Sequence, residues 1–136
     1  MRVYLDTSAL LKRIFTERET DAFVEALDRW QAERSLLVSS SLAWVEVARS
    51  VRVRLEAPFG DVEAQVDRAL VGVAESPISP EVISLARRIG PTKLRSLDAI
   101  HLAAALLLDV DLVVTYDDRL AEACRDVGLR ATSPTA

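Results

Sequence analysis

The chain begins with a short apolar run that stops at a carboxylate, Val3-Tyr4-Leu5-Asp6. Such a run, rich in β-forming side chains, is typical of a strand that is covered on both faces in a parallel sheet. Helix-forming residues follow at once, from position 8 to 15. The segment therefore predicts the first strand and helix of an α/β fold, with Asp6 at the carboxyl end of the strand.

The same alternation of strand and helix continues along the chain. Apolar runs predict further strands at 36–38 and 112–115, a brief extended segment at 77–79 and an edge strand at 129–131. Apolar spacings of three and four residues predict helices between them, over 21–33, 41–55, 58–73, from Pro80, over 97–108 behind an N-cap at Ser96, and over 118–127. We therefore predict a three-layer α/β/α sandwich with a central parallel sheet, in which ligands bind at the carboxyl ends of the strands.

Composition narrows the class of protein. The 136 residues are 50% hydrophobic with a net charge of −4, which is typical of one folded domain, here expected over 1–136. The single cysteine, Cys124, excludes a disulfide within the chain and a cysteine-based zinc cluster. The longest apolar run is too short to span a bilayer and the first residues do not form a signal peptide, so we expect a soluble cytoplasmic protein without membrane contact. Neither GxGxxG nor GxxxxGK[ST] occurs, which excludes the usual nucleotide cradles.

Four acidic residues occupy unusual positions. Asp6 and Asp117 follow predicted strands, Glu46 interrupts an apolar stretch, and Asp98 lies in the first turn of the most apolar helix. Each has an ordinary explanation: a helix cap or turn for Asp6 and Asp117, a solvated helix face for Glu46, and the helix dipole for Asp98. Together, however, they predict an acidic cluster that needs a cation, and hard oxygen ligands suit Mg²⁺ or Mn²⁺.

The only histidine, His101, lies three residues after Asp98 and can share its helix face. A general base is one interpretation, and a buried histidine held by a hydrogen bond is the simpler one. We therefore leave His101 out of the predicted catalytic set.

Four segments carry a family resemblance: Asp6-Thr7-Ser8-Ala9-Leu10, Glu46, Leu97-Asp98-Ala99-Ile100-His101-Leu102-Ala103 and Thr115-Tyr116-Asp117. In this order and spacing they resemble the PIN-domain ribonucleases, in particular the VapC toxins of bacterial and archaeal toxin–antitoxin pairs. The resemblance covers essentially the whole chain.

The resemblance implies a metal-dependent endoribonuclease that hydrolyses RNA phosphodiesters with Mg²⁺ or Mn²⁺. The catalytic and metal-binding acids would be Asp6, Glu46, Asp98 and Asp117. Ser8 and Thr115 match positions with supporting hydroxyl groups, and Asp118 matches a secondary position. The segment around Glu46 carries little motif, and Glu56 is a poorer candidate for the same role.

The resemblance also implies partners. A homodimer is expected, together with a cognate VapB-like antitoxin that lies along a groove and blocks the acidic pocket. The antitoxin binds DNA in such systems, so no direct DNA binding is expected of this chain. Candidate RNA-binding residues are Arg49, one helical turn from Glu46, and Arg95, three residues before Asp98; an ordinary solvated helix surface is the alternative for both.

The acidic balance does not exclude RNA. Setting aside four of the 21 acidic residues as a metal site leaves 17 acidic against 17 basic residues. Binding to RNA would then depend on bound cations and on a local arginine surface.

Three other functions remain open at this point. One is a PIN-fold binding module with weak catalysis. Another is a Mg²⁺-dependent phosphatase with an aspartyl nucleophile, although Ser8 stands where its second Asp is expected. A receiver-like signalling domain fits less well, because the strand at 36–38 is followed by serines and no Lys follows Lys93.

Overall fold

Five parallel strands form the centre of the fold. A computed structural model, which describes residues 1–135, places in that range the strands β1 Arg2–Leu5, β2 Leu36–Ser40, β3 Ala74–Ser76, β4 Leu112–Val114 and β5 Ala131–Thr132. Their order is β3-β2-β1-β4-β5, with every neighbouring pair parallel. The chain winds outward from β1 to β3 and then crosses to the other side of β1. The strand order therefore reverses beside β1, where ligands bind in open α/β sheets.

Seven helices within residues 1–135 cover the two faces of this sheet: α1 Thr7–Leu11, α2 Thr20–Ala32, α3 Ser41–Leu55, α4 Phe59–Leu70, α5 Pro80–Ala86, α6 Ser96–Leu107 and α7 Asp118–Asp126. Helices α1 to α4 build one apolar core and α5 to α7 build the other. The side chains of β1 alternate between them, because Val3 and Leu5 enter the first core and Tyr4 enters the second. The predicted three-layer α/β/α sandwich with a central parallel sheet is confirmed.

Polar residues begin three of the helices that follow strands. Asp6 caps α1 and Ser40 caps α3, where the Ser40 hydroxyl accepts a hydrogen bond from the Leu42 amide at 3.1 Å. Asp117 caps α7 through the amides of Arg119 and Leu120. Side-chain oxygens satisfy amides that the first helical turn leaves free, so the same positions end a strand and start a helix.

Several predicted boundaries differ from those of the structure. The strand expected at 77–79 lies at Ala74–Ser76, an exposed edge strand with the sequence Ala-Glu-Ser, and Ser79 instead caps α5. Ser96 is the first residue of α6 and not its N-cap, a position held by Arg95 without a side-chain hydrogen bond. The first helix ends at Leu11 because turns replace it up to position 14.

The predicted end of α4 and the predicted bounds of β5 also move, by one to three residues. Helix α4 ends at Leu70, so Val73 packs against the first core from beyond the helix. The edge strand expected at 129–131 occupies Ala131–Thr132. None of the helices in residues 1–135 has the length and apolar character needed to cross a membrane.

Candidate active site

Asp6 lies at the carboxyl end of β1 and is almost fully buried, with 4% of its surface exposed. Its backbone amide donates to the Val114 carbonyl at 3.2 Å, which continues the pairing of β1 with β4. Its Oδ1 accepts hydrogen bonds from the Ser8 hydroxyl at 2.6 Å and the Ala9 amide at 3.0 Å. Its Oδ2 accepts one from the Thr115 hydroxyl at 2.5 Å. Burial raises the pKa of Asp6 despite these donors, because removing a carboxylate from water disfavours its charge.

Two hydroxyl groups connect Asp6 to the segment that follows β4. The Ser8 hydroxyl accepts from the Tyr116 amide at 2.9 Å, and the Thr115 hydroxyl accepts from the Asp117 amide at 3.0 Å. Each hydroxyl thus donates to Asp6 and accepts from a backbone amide in the segment between β4 and α7. The supporting positions predicted for Ser8 and Thr115 both contact Asp6 directly.

Glu46 reaches this region from α3. Both of its hydrogen bonds fall on Oε1, which accepts from the Thr7 hydroxyl at 2.7 Å and from Nε2 of His101 at 2.7 Å. Burial raises the pKa of the Glu46 carboxyl, but the hydrogen bonds of His101 and Thr7 outweigh it and hold the pKa below its usual range. None of the hydrogen bonds within residues 1–135 uses Oε2 of Glu46.

His101 is buried, as the simpler interpretation predicted, with 3% of its surface exposed. Its Nδ1 lies 2.7 Å from the Tyr4 hydroxyl, and that hydroxyl accepts from the Ser40 amide at 3.2 Å. A chain of hydrogen bonds therefore connects Glu46 on α3 to β1 and to the end of β2. Burial raises the pKa of the Tyr4 phenol, so this hydroxyl keeps its proton.

Asp98 and Asp117 line one open cleft together with Asp118, Arg95 and Arg119. Burial raises the pKa of the half-buried Asp98, and the negative charge of Asp117 raises it further, with smaller contributions from Asp6 and Glu46. Asp98 therefore feels the negative charge of each of the other three predicted acids. Asp117 also caps α7 through Oδ1, so its ordinary role as a cap and its place in the cleft coexist.

The arrangement fits a weakly held hard cation better than a closed metal cage. Within residues 1–135, no three Asp, Glu, His or Cys side chains converge closely enough to enclose an ion. Mg²⁺ usually keeps several water ligands and takes only one or two carboxylates from a protein. Asp98 and Asp117, whose charges destabilise each other across an open cleft, are suited to that mode of binding.

The predicted RNA-binding arginines lie in different places. Arg95 lines the acidic cleft, whereas Arg49 lines a separate groove with Arg52 and Glu56. Glu56 is exposed and lies outside the acidic cleft.

Sequence reasoning overlooked three residues of the site: Thr7, Tyr4 and Arg119. Thr7 stands beside Asp6 in the first motif, but the partners of Tyr4 are 36 and 97 positions away and leave no local signal.

The family model for the PIN domain matches residues 3–126, so the chain belongs to the PIN domain family. Ribonuclease VapC47 of Mycobacterium tuberculosis is 42% identical over 139 residues, covering 98% of each chain. Ribonuclease VapC46 of the same species is 38% identical over 135 residues, again with 98% of each chain covered. Within the PIN family the chain groups with the VapC-type ribonucleases.

Solved structures agree with the fold. The VapBC2 complex of Rickettsia felis, bound to a DNA fragment from its promoter, contains a chain with a TM-score of 0.74 at 14% identity, covering 98% of this chain and 99% of that one. Mycobacterium tuberculosis VapC20, described as a sarcin–ricin loop cleaving toxin, has a TM-score of 0.67 at 16% identity, with 97% and 99% covered. At these identities the similarity establishes the shared fold.

Proposed function

We propose that the chain is a metal-dependent endoribonuclease, the toxin of a toxin–antitoxin pair, which hydrolyses RNA phosphodiesters at a site formed by Asp6, Glu46, Asp98 and Asp117. The observation that supports this proposal is that Asp98 and Asp117 line one cleft, and that the charges of Asp117, Asp6 and Glu46 all raise the pKa of Asp98. The chain is similar to two VapC ribonucleases over nearly its full length, which supports RNA as the substrate class.

The four acids have different surroundings, which favours different roles. Asp98 and Asp117 line the open cleft and would hold Mg²⁺ or Mn²⁺, with buried Asp6 contributing directly or through water. When bound, the ion would lower the pKa of a water molecule and offset the charge that develops on the phosphate. Glu46, whose low pKa keeps it ionised, would orient the attacking water with its free Oε2. Ser8 and Thr115 hold Asp6 in place through their hydroxyl groups.

Two arginines provide binding for the phosphate backbone. Arg95 and Arg119 line the acidic cleft, and none of the ion pairs within residues 1–135 uses either of them. A guanidinium with no carboxylate partner can donate two hydrogen bonds to a phosphate. RNA would therefore be drawn to the rim of the cleft although its floor is acidic. Asp118 lines the same cleft and would have a secondary role.

The expected protein partner is a VapB-like antitoxin. Two of the similar structures are described as VapBC assemblies, from Rickettsia felis and Haemophilus influenzae, and a third as a toxin–antitoxin complex from Klebsiella pneumoniae. A basic side chain of such a partner would neutralise Asp98 and Asp117 and exclude RNA. We expect the toxin to act as a homodimer, with DNA binding left to the antitoxin.

The test is RNA cleavage by the purified chain in the absence of antitoxin. A panel of structured RNAs is incubated with Mg²⁺ or Mn²⁺ and then with EDTA, alongside Asp6→Asn and Asp98→Asn. We expect cleavage that EDTA and both substitutions abolish. Cleavage that persists in both variants contradicts the proposed site. Failure to cleave any RNA with either metal would favour a binding module, and phosphate release from a monoester would favour a phosphatase.

A further inference from the structure

The feature that the acidic site leaves unexplained is the buried polar chain behind Glu46. It consists of Tyr4, Ser40 and His101 and crosses the interior between β1, β2 and α6. Burying a histidine and a tyrosine hydroxyl costs free energy unless every polar atom finds a partner. Here each does, since no buried side-chain nitrogen or oxygen in residues 1–135 lacks a hydrogen bond.

The direction of these hydrogen bonds can be read from their ends. The Ser40 amide can only donate, so the Tyr4 hydroxyl accepts from it at 3.2 Å and has its own proton free. That proton points to Nδ1 of His101, 2.7 Å away, which then acts as the acceptor. At the other end, the Glu46 carboxylate can only accept, so Nε2 of His101 must carry a proton.

The backbone fixes the start of this chain. The Ser40 amide lies at the end of β2, where Ser40 also caps α3, the helix that carries Glu46. The His101 ring stands nearly perpendicular to the Tyr4 ring, at 77° with centroids 5.8 Å apart, which restricts its rotation. One of the two hydrogen bonds to Glu46 Oε1 thus comes from groups of the core.

We infer that His101 is a positioning residue for Glu46: oriented by Tyr4, it donates from Nε2 to Oε1 and leaves Oε2 as the atom that faces the reaction. Thr7 completes the arrangement by donating to the same Oε1 at 2.7 Å. A carboxylate held on one oxygen loses its freedom to rotate and can direct its second oxygen at one place. The role in catalysis rests on the proposed ribonuclease function, whereas the hydrogen-bond geometry does not.

The first test uses the unmodified protein. Because His101 is the only histidine, ¹⁵N-labelled histidine gives one imidazole spin system in an NMR spectrum. We expect a proton on Nε2, with a coupling or cross-peak that connects it to the side chain of Glu46. A ring without a proton on Nε2 overturns the inference. This outcome does not depend on whether the chain cleaves RNA.

The second test measures cleavage kinetics. His101→Leu removes the donor, and we expect kcat to fall about 10-fold with little change in KM, the lower end of what such supporting contacts usually contribute. His101→Gln keeps an N–H donor and an acceptor for Tyr4, so it should restore most of the rate. Tyr4→Phe removes the proton that orients the ring and should give an intermediate loss.

A double-mutant cycle separates positioning from general support of the fold. In a Glu46→Gln background, His101→Leu should cause no further loss of kcat, because its effect passes through Glu46. Additive losses overturn the inference, as does a His101→Gln variant no better than His101→Leu. A wild-type protein that cleaves no RNA would contradict the proposed function, and the NMR result would still decide the role of His101.

Discussion

Single side chains at the carboxyl ends of β1 and β4 combine two tasks. Asp6 and Asp117 each cap a helix with Oδ1, and each leaves capacity on the second oxygen for another ligand. Capping fixes the side chain and stabilises the helix start, typically by about 1 kcal/mol. Asp6 and Asp117, which we propose as site residues, are therefore held in place by the same hydrogen bonds that begin the two helices.

Asp98 differs from these two residues, because the folded structure raises the pKa of its carboxyl group and so disfavours its charge. A carboxyl group with a raised pKa destabilises the folded state once it ionises. This cost is full above the pKa of the folded state, and it disappears below the ordinary Asp pKa of about 3.9, where the group is neutral in both states.

We therefore expect Asp98→Asn to stabilise the protein at pH 7 in EDTA. The gain should be about 1 kcal/mol, the usual size for a favourable single substitution, and it should shrink as the pH falls through the raised pKa. Urea unfolding between pH 7 and pH 4 measures it, with the exposed Asp28→Asn as the control. A gain that is absent at pH 7, or that grows on acidification, contradicts this explanation.

At the level of elements, the helix starts determine where the site residues lie. Ser40 and Ser41 are neighbours with different contacts: the Ser40 hydroxyl caps α3, whereas the Ser41 hydroxyl donates to Glu75 at the surface. Ser40→Ala should lower the free energy of unfolding by about 1 kcal/mol. Ser41→Ala, as the matched control, should change it by less than about 0.5 kcal/mol. Equal losses in chemical denaturation would show that the cap has no special role.

Two glycines provide a second test at this scale. Gly60 lies in the first turn of α4 with open space around it, so Gly60→Ala should stabilise the protein by about 0.5 kcal/mol. Gly90 has φ +83°, and a Cβ there would lie 2.7 Å from a methyl carbon of Leu94. Gly90→Ala should therefore destabilise it by about 1 kcal/mol. Thermal unfolding of both variants checks that the two changes in stability have opposite signs. Changes of the same sign would contradict the predicted difference between the two glycine positions.

The elements also show what sequence patterns can and cannot predict. Strands β1, β2 and β4 were predictable because they are buried apolar runs, and α3 and α5 because Ser40 and Pro80 mark their starts. Strand β3 was misplaced because an exposed edge strand such as Ala-Glu-Ser carries neither an apolar run nor alternation. The motif residues Ser8 and Thr115 could be anticipated, but the contact of His101 with Glu46 joins residues 55 positions apart and depends on packing.

For the whole molecule, the positions of the charged residues bear more on RNA binding than the net charge does. The net charge of −4 includes the acids at the proposed metal site, and Arg95 and Arg119 line the same cleft as Asp98 and Asp117. A polyanion bound by few arginines should show a shallow dependence on salt and a strong dependence on divalent cations. The sandwich places β1 beside β4, so that Asp6 and Asp117 follow neighbouring strands although they are distant in sequence.

The central claim is that these four carboxylates, and not acidic residues in general, form the reactive site. The most direct measurement is the initial rate of RNA cleavage in Mg²⁺ for Asp6→Asn, Glu46→Gln, Asp98→Asn and Asp117→Asn, with the exposed Glu56→Gln as the matched control. We predict that each of the four site variants loses about 100-fold or more of the rate, as removal of a catalytic group usually does, while Glu56→Gln keeps it. Full activity in any of the four, or an equal loss in Glu56→Gln, would contradict the account.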